Sequence, residues 1–189
     1  MRTRYLIIPA ALLLALPALA QDVYKIDAVH SQVGFRIRHV VAKVSGRFAK
    51  FDGTIKVDTK DITKSSVEVS IDAASINTDN EARDKHLKSP DFFDTAKFPA
   101  ITFKSTSVKE VAKGRLEITG NLTIKGVTKQ VSFPITNAGT HAGMKPGSVL
   151  AGFIDGTLKI NRNDFNIKYG PGLLGDDVDI TLDVEAGKE

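Results

Sequence analysis

The stretch Gln32–Arg38 reads QVGFRIR and places apolar side chains at every second position. Val33, Phe35 and Ile37 share one phase of this alternation, and polar residues occupy most of the other. A period of two is typical of a β-strand that buries one face. The stretch Asp177–Val184, near the end of the chain, reads DVDITLDV and repeats the pattern. A sheet this long and one-sided must fold over on itself, so the sequence predicts an enclosed interior.

Segments with similar alternation recur between these two stretches, at residues 44–57, 67–71, 100–104, 116–124, 131–135 and 150–161. They predict about eight strands, and the absence of a strand–helix repeat argues against a parallel α/β fold. Consecutive long strands favour an up-and-down barrel over a sandwich, because closure removes the exposed sheet edges. We therefore predict an all-β fold, an antiparallel β-barrel of about eight strands. A barrel of this size either fills with side chains or holds one ligand.

The first twenty residues have the layout of a secretory signal peptide. Arg2 and Arg4 precede the apolar run Leu6–Leu16, and Ala18–Ala20 reads ALA, an A-x-A-type cleavage site. The run is short for a membrane span, which needs about 20 apolar residues. We predict cleavage after Ala20, which leaves residues 21–189 as a single exported domain.

Charge and cysteine content limit the classes of function. The full chain has 26 Lys and Arg against 22 Asp and Glu. Without Arg2 and Arg4 the balance is 24 against 22, a net charge of +2. The charges are mixed along the chain, so nucleic-acid binding is not favoured. The chain has no cysteine, which excludes disulfides, thiolate metal sites and thiol catalysis.

A helical insert interrupts the strands between Thr78 and about Asp94. Thr78 and Glu81 have the spacing of a capping box, in which the Thr78 side chain accepts from the Glu81 N–H. Pro90, within Ser-Pro-Asp, predicts a second helix start, since proline is favoured at the first helical position.

Several polar residues near the insert are candidates for chemistry. A hydrolase or isomerase using His30, Ser31, Arg83 and Asp84 is one alternative, although the G-x-S-x-G elbow is absent. The sequence also lacks the H-E-x-x-H pattern, so no metal site is predicted. The other interpretation is that these groups satisfy buried polar atoms where the insert meets the barrel.

Strand phase and proximity to the insert select the candidate ligand contacts. We expect the interior to be lined by Phe35, Ile37, Phe103, Leu116, Ile118 and Leu122. Around a mouth beside the insert we expect His39, Arg83, His86, Phe92 and Phe93. The alternatives are a hydrogen-bonded core role for His39 and a simple plugging role for the two phenylalanines.

Several blocks of the chain, in order, resemble the YceI-like proteins. The blocks are Tyr24–Ser31 (with D-x-x-H-S), Ser75–Thr78, Arg83–Ser89, Asp91–Asp94, Phe98–Phe103, Gly120–Thr128 (G-x-L-T-x-x-G-V-T) and Asn161–Phe165 (R-x-D-F at its end). Asn166 is a departure, because the family often has glycine after the last block. The resemblance covers essentially the whole of residues 21–189.

This resemblance implies a lipocalin-like barrel with a long apolar cavity and a periplasmic protein linked to stress responses. It implies an isoprenoid lipid as ligand, either a polyprenyl chain or an isoprenoid quinone, with no other cofactor. Phe165 joins the expected ligand contacts on this basis. The predicted partners are this lipid and at most a transient membrane contact; a homodimer stays open, as does a filled barrel with a structural role.

Overall fold

Eleven strands and one short α-helix are found in residues 21–189, the part of the chain that this computed structural model describes. The predicted signal peptide, residues 1–20, lies outside the described residues. The helix α1 spans Glu81–Leu87. The strands are β1 (Gln21–Ile26), β2 (Gln32–His39), β3 (Ala42–Phe48), β4 (Phe51–Asp58), β5 (Ser66–Asp72), β6 (Ile76–Asn77), β7 (Ala100–Ala112), β8 (Arg115–Ile124), β9 (Val127–Ala142), β10 (Val149–Asn161) and β11 (Leu174–Lys188).

The strands form one closed antiparallel barrel with eight strand positions. β1 and β2 follow one another along β11: Ile26 pairs with Ala186, and Val33 pairs with Leu182. β3 and β4, and then β5 and β6, are broken strands of the same kind. The continuous strands β7 to β11 complete the ring, which β1 closes against β11. The predicted eight-stranded antiparallel barrel is confirmed.

Side-chain hydrogen bonds replace the ladder at the break between β1 and β2. The Val29 N–H donates to Asp27 Oδ1 at 2.9 Å. Ser31 Oγ donates to the Glu185 carbonyl and accepts from the Glu185 N–H, at 3.1 and 2.9 Å. The backbone can therefore leave the ladder here without losing its polar partners.

The helical insert differs from the predicted capping box. Asn80 caps α1, because its side chain accepts from the Arg83 N–H at 2.9 Å. Thr78 is buried, and its hydroxyl bonds to Asp84 and Arg83 instead. The second helix start predicted at Pro90 is also wrong, since residues 88–98 form turns and bends.

Two apolar clusters hold the barrel together. One lies towards the end opposite α1 and includes Tyr24, Leu116, Phe133 and Phe153. The other lies near α1 and is given by Ala73, Phe92, Ile101, Leu122, Ile124, Phe165 and Ile167. Within residues 21–189 there is no helix long and apolar enough to cross a membrane.

Candidate functional site

The barrel encloses a cavity of about 550 Å³. Ligand pockets for small molecules span about 300–1,000 Å³. Apolar side chains form most of its wall. All twelve residues that the sequence analysis selected border the cavity: Phe35, Ile37, His39, Arg83, His86, Phe92, Phe93, Phe103, Leu116, Ile118, Leu122 and Phe165. That they contact a ligand stays a prediction.

The inward side chains that border the cavity are not equally buried on every strand. The inward side chains of β8, among them Leu116, Ile118 and Leu122, are buried by packing. Those of β5 and β11 border the cavity and are only half-buried, although they point inward: Val67, Val69, Ile71, Val178, Ile180, Leu182 and Val184. The sequence analysis did not select these seven residues, although the alternation in each of the two strands indicates that they point inward.

The cavity opens at the end of the barrel that carries α1. Four residues of its wall are exposed, and all lie at this end: His39, Arg83, Tyr169 and Leu173. They belong to the end of β2, to α1 and to the loop between β10 and β11. We call this opening the mouth. At the opposite end, Ile62 in a short 3-10 helix packs against the first apolar cluster.

Three rings pack against one another beside the mouth. The His86 ring lies edge-on to Phe92 and to Tyr169, with centroid distances of 5.0 and 4.8 Å. The Phe92 and Tyr169 rings are 5.1 Å apart. Phe93 packs edge-on against Phe48 at 5.8 Å. Edge-to-face packing at these distances is the favoured aromatic arrangement, so the rings form a firm border to the opening.

Arg83 is fixed at the mouth by buried polar partners. Its Nε donates to Thr78 Oγ1 and its Nη2 to the Thr78 carbonyl, each at 2.7 Å. The Thr78 N–H donates to Asp84 Oδ1 at 2.9 Å. Within the described part of the chain, Arg83 Nη1 has no acceptor at hydrogen-bond distance. The guanidinium is thus held in place with donor capacity to spare.

Arg162 positions the β10–β11 loop that borders the mouth. Its side chain is 3 % exposed, and it donates to the carbonyls of Gly175, Ile167 and Tyr169 at 2.8 Å each. Asn166 follows with φ +58°, a left-handed conformation that asparagine tolerates and glycine adopts freely. Asparagine can therefore occupy this position.

The residues of the enzyme hypothesis are not joined in one hydrogen-bonded group. His30 bonds to Asp27 at 2.8 Å, whereas Arg83 and Asp84 bond to Thr78. His30 and Ser31 lie at the β1–β2 break, and neither borders the cavity, in contrast to Arg83. The described residues thus give these side chains structural partners in two separate places.

Asp27, His30 and Glu185 form the one cluster within residues 21–189 with the spacing of metal ligands, their ligand atoms lying within 4.8 Å of one another. His30 Nδ1 is already bonded to Asp27, and His30 is exposed. The hydrogen bond raises the pKa of His30 and lowers the pKa of Asp27. The geometry is that of a surface ion pair.

The YceI-like domain family model matches residues 24–186. Protein YceI of Escherichia coli O157:H7 is 44% identical over 172 residues, which cover 89% of this chain and 87% of the relative. A UPF0312 protein of Shewanella denitrificans is 40% identical over 184 residues, covering 95% of this chain and 94% of the relative.

Solved structures of similar fold include proteins from three organisms. Burkholderia cenocepacia BcnA superposes with a TM-score of 0.77 at 27% identity, covering 85% of this chain and 98% of its own. The Campylobacter jejuni YCEI protein gives 0.72 at 32% identity, covering 80% and 90%. A polyisoprenoid binding domain from Saccharophagus degradans gives 0.64 at 16% identity, covering 88% and 98%, which shows a shared fold.

Proposed function

The chain belongs to the YceI-like family, and we propose that it binds an isoprenoid lipid, a polyprenyl chain or an isoprenoid quinone, in its barrel cavity. The same proposal makes it a periplasmic binding or carrier protein, exported by the signal peptide predicted over residues 1–20. A structurally similar domain from Saccharophagus degradans is described as polyisoprenoid binding, which supports the choice of ligand.

The observation that carries the proposal is the apolar cavity of about 550 Å³ with an opening at one end. Removing apolar surface from water contributes about 25 cal/mol per Å², or about 0.8 kcal/mol per buried CH₂ group. A hydrocarbon chain therefore gains affinity from the wall alone. A cavity of this size also argues against the alternative of a filled structural barrel.

The polar residues at the mouth suit the head of such a lipid. Arg83 offers a guanidinium donor, and the imidazoles of His39 and His86 border the cavity at the same end, with His86 Nε2 bonded to Asp91 at 2.9 Å. Their position favours a ligand that enters tail first and leaves a carbonyl or phosphate head at the opening. We propose binding without catalysis, since the described partners of His30, Ser31 and Asp84 are structural ones.

Mass spectrometry of the lipid extracted from the protein, expressed from its full-length sequence, tests the proposal. Ile180 borders the cavity and Thr181 is exposed on the next position of β11. We expect Ile180→Trp to fill the hollow and lower the bound lipid at least about tenfold, because it displaces several buried CH₂ groups. Thr181→Trp is the matched control and should keep its lipid.

Equal amounts of isoprenoid lipid in both folded variants would contradict binding in the cavity. Extraction that yields no isoprenoid from the wild-type protein, purified from its own compartment, would contradict the choice of ligand.

A further inference from the structure

Four exposed apolar side chains surround the mouth. Val40 and Val41 form the tip of the β2–β3 hairpin and are 46% and 96% exposed. Tyr169 and Leu173, in the β10–β11 loop, are 47% and 58% exposed. The Val40 N–H donates to the Leu173 carbonyl at 2.8 Å, which joins the two segments. We call these four residues, together with Arg38 and Lys168, the rim.

The hairpin tip is poorly suited to a purely structural role. His39 pairs with Ala42, so Val40 and Val41 are the two turn residues. Val40 has φ +50°, a region that favours glycine and asparagine in such turns and strains a β-branched residue. Glycine in place of Val40 would relieve this strain, and a polar residue in place of Val41 would remove apolar surface from water. The chain instead keeps two valines exposed beside the opening.

The chain segment that forms the hairpin tip carries charge of one sign. Residues 28–51 contain five Lys and Arg and no Asp or Glu. Arg38 donates to the Val40 carbonyl at 2.8 Å, and Lys168 precedes Tyr169 in the facing loop. No carboxylate of the described residues lies within 4.0 Å of Arg38 or Lys168, whereas Lys43 is paired with Asp179. Arg38 and Lys168 thus flank the apolar tips without an ion-pair partner, while Asp176 and Asp177 lie in the β11 bulge beside Arg38.

We propose that the rim docks on the surface of a membrane containing anionic lipids, with the mouth facing the bilayer. Val41, Tyr169 and Leu173 enter the interface, while Arg38 and Lys168 lie at the level of the head groups. Apolar side chains with flanking cations are the combination that binds anionic interfaces. The purpose of docking rests on the proposed function, because an isoprenoid chain could then pass between bilayer and cavity without crossing water.

A second copy of the chain fits this surface less well. Two rims brought face to face would oppose Arg38 and Lys168 with the same cations of the second copy, and like charges repel. Such a dimer would also cover the mouth. An anionic bilayer neutralises the cations and supplies the proposed ligand at the same time.

Flotation with vesicles tests the proposal, using phosphatidylglycerol and phosphatidylcholine in equal parts, or phosphatidylcholine alone. Val41 does not border the cavity, so Val41→Asp should retain lipid in solution yet bind anionic vesicles about tenfold less. Met144→Asp is the matched control, since Met144 is fully exposed in the β9–β10 connection at the opposite end. It should bind as the wild type does.

Charge variants give a second measurement that does not depend on the apolar tip. Arg38→Gln and Lys168→Gln should each weaken binding to anionic vesicles about fivefold, since one cation near such a surface contributes about 1 kcal/mol. The loss should vanish at high salt and with phosphatidylcholine alone. Lys113→Gln, in the β7–β8 turn at the opposite end, is the control and should have little effect.

Wild-type binding by Val41→Asp and by both charge variants would overturn the docking proposal, and so would a dimer in light scattering that Val41→Asp dissociates. Its failure is distinguishable from that of the proposed function. If the protein carries isoprenoid lipid and the rim substitutions leave its binding to vesicles unchanged, docking alone is refuted. One that docks through the rim but yields no isoprenoid on extraction refutes the ligand and leaves docking intact.

Discussion

The buried side chain of Arg162 determines the shape of the loop that borders the mouth. Its guanidinium binds three carbonyls that come from both ends of the β10–β11 loop. Buried acceptors left without a donor each destabilise by about 1–3 kcal/mol. We therefore expect Arg162→Met to lower the free energy of unfolding by about 3 kcal/mol or more, as measured by urea denaturation. Arg162→Lys should lower the free energy of unfolding by less, since an ammonium group can make some of the hydrogen bonds that the guanidinium makes.

The control for Arg162 is Arg36→Met, an exposed arginine on the outer face of β2, which should change stability by less than about 0.5 kcal/mol. Similar losses of stability for both methionine variants would show that the hydrogen bonds from Arg162 to the three carbonyls do not stabilise the loop.

The sequence around Arg162, Tyr169 and Leu173 has no pattern that predicts their positions at the mouth. They lie in or beside a Gly/Pro-rich loop with no periodicity, and tertiary hydrogen bonds to distant carbonyls fix their positions. Thr78 is a second residue whose hydrogen-bond partners the local sequence does not predict. Its spacing from Glu81 matches a capping box, yet the hydroxyl bonds to Arg83 because that side chain turns back toward β6. Local motifs indicate a helix start but not which side chain caps it.

At the level of elements, strand phase predicts which side of a strand faces inward, because successive side chains alternate. This reasoning predicts that Phe35, Phe103 and Ile118 face inward, and all three border the cavity. It does not predict how much free space each inward residue meets. Buried Ile118 on β8 and half-buried Ile180 on β11 have the same alternation and differ in what packs opposite them.

Gly120 shows what the β7–β8 pair requires of its backbone. A Cβ at this position would lie against the Phe103 ring and 2.5 Å from the Lys104 carbonyl oxygen. The backbone cannot yield as a flexible side chain would, so we expect Gly120→Ala to destabilise by about 1–3 kcal/mol. Thermal or urea unfolding measures the loss. Gly187→Ala on β11 is the control, since nothing lies within 4 Å of its added methyl group.

A larger loss for Gly187→Ala than for Gly120→Ala would contradict the close approach of β7 and β8. A neutral Gly120→Ala would contradict it as well, because movement of the Phe103 ring does not relieve the contact with the Lys104 carbonyl oxygen.

The ion pair at the β1–β2 break makes this element sensitive to pH. The hydrogen bond to Asp27 raises the pKa of His30 above its ordinary value of 6.5. The contribution of His30 is complete below that value and is lost as the pH rises through the raised pKa. The pKa of Asp27 is lowered from 3.8 by the same bond, so its contribution is lost as the pH falls below that value.

We therefore expect the stability difference between wild type and His30→Ala to be largest between pH 3.8 and 6.5. It should shrink on either side, as melting temperatures across a pH series would show. His141→Ala is the control, because no carboxylate of the described residues lies within 4.0 Å of that imidazole. A difference that grows above neutral pH would refute the role of the pair.

The whole molecule combines packed apolar clusters with an open cavity. The clusters draw buried side chains from most of the strands, so the barrel has a core that does not depend on a guest. The half-buried residues of β5 and β11 border the cavity. Such an arrangement lets the protein remain folded while its ligand enters or leaves, which a barrel stabilised only by its contents could not do.

This arrangement predicts how much the bound lipid stabilises the protein. A ligand that binds only the folded state adds about 2.7 kcal/mol when its free concentration is one hundred times the dissociation constant. Protein stripped of lipid should remain folded and cooperative, but melt at a lower temperature than loaded protein. Calorimetry of both forms measures the difference. Ile180→Trp should lose most of it, because the indole occupies the space, whereas Thr181→Trp should retain it. If removal of the lipid unfolds the wild type outright, the packed clusters are not a sufficient core. If removal of the lipid changes the melting temperature of no form, the cavity is not where the lipid binds.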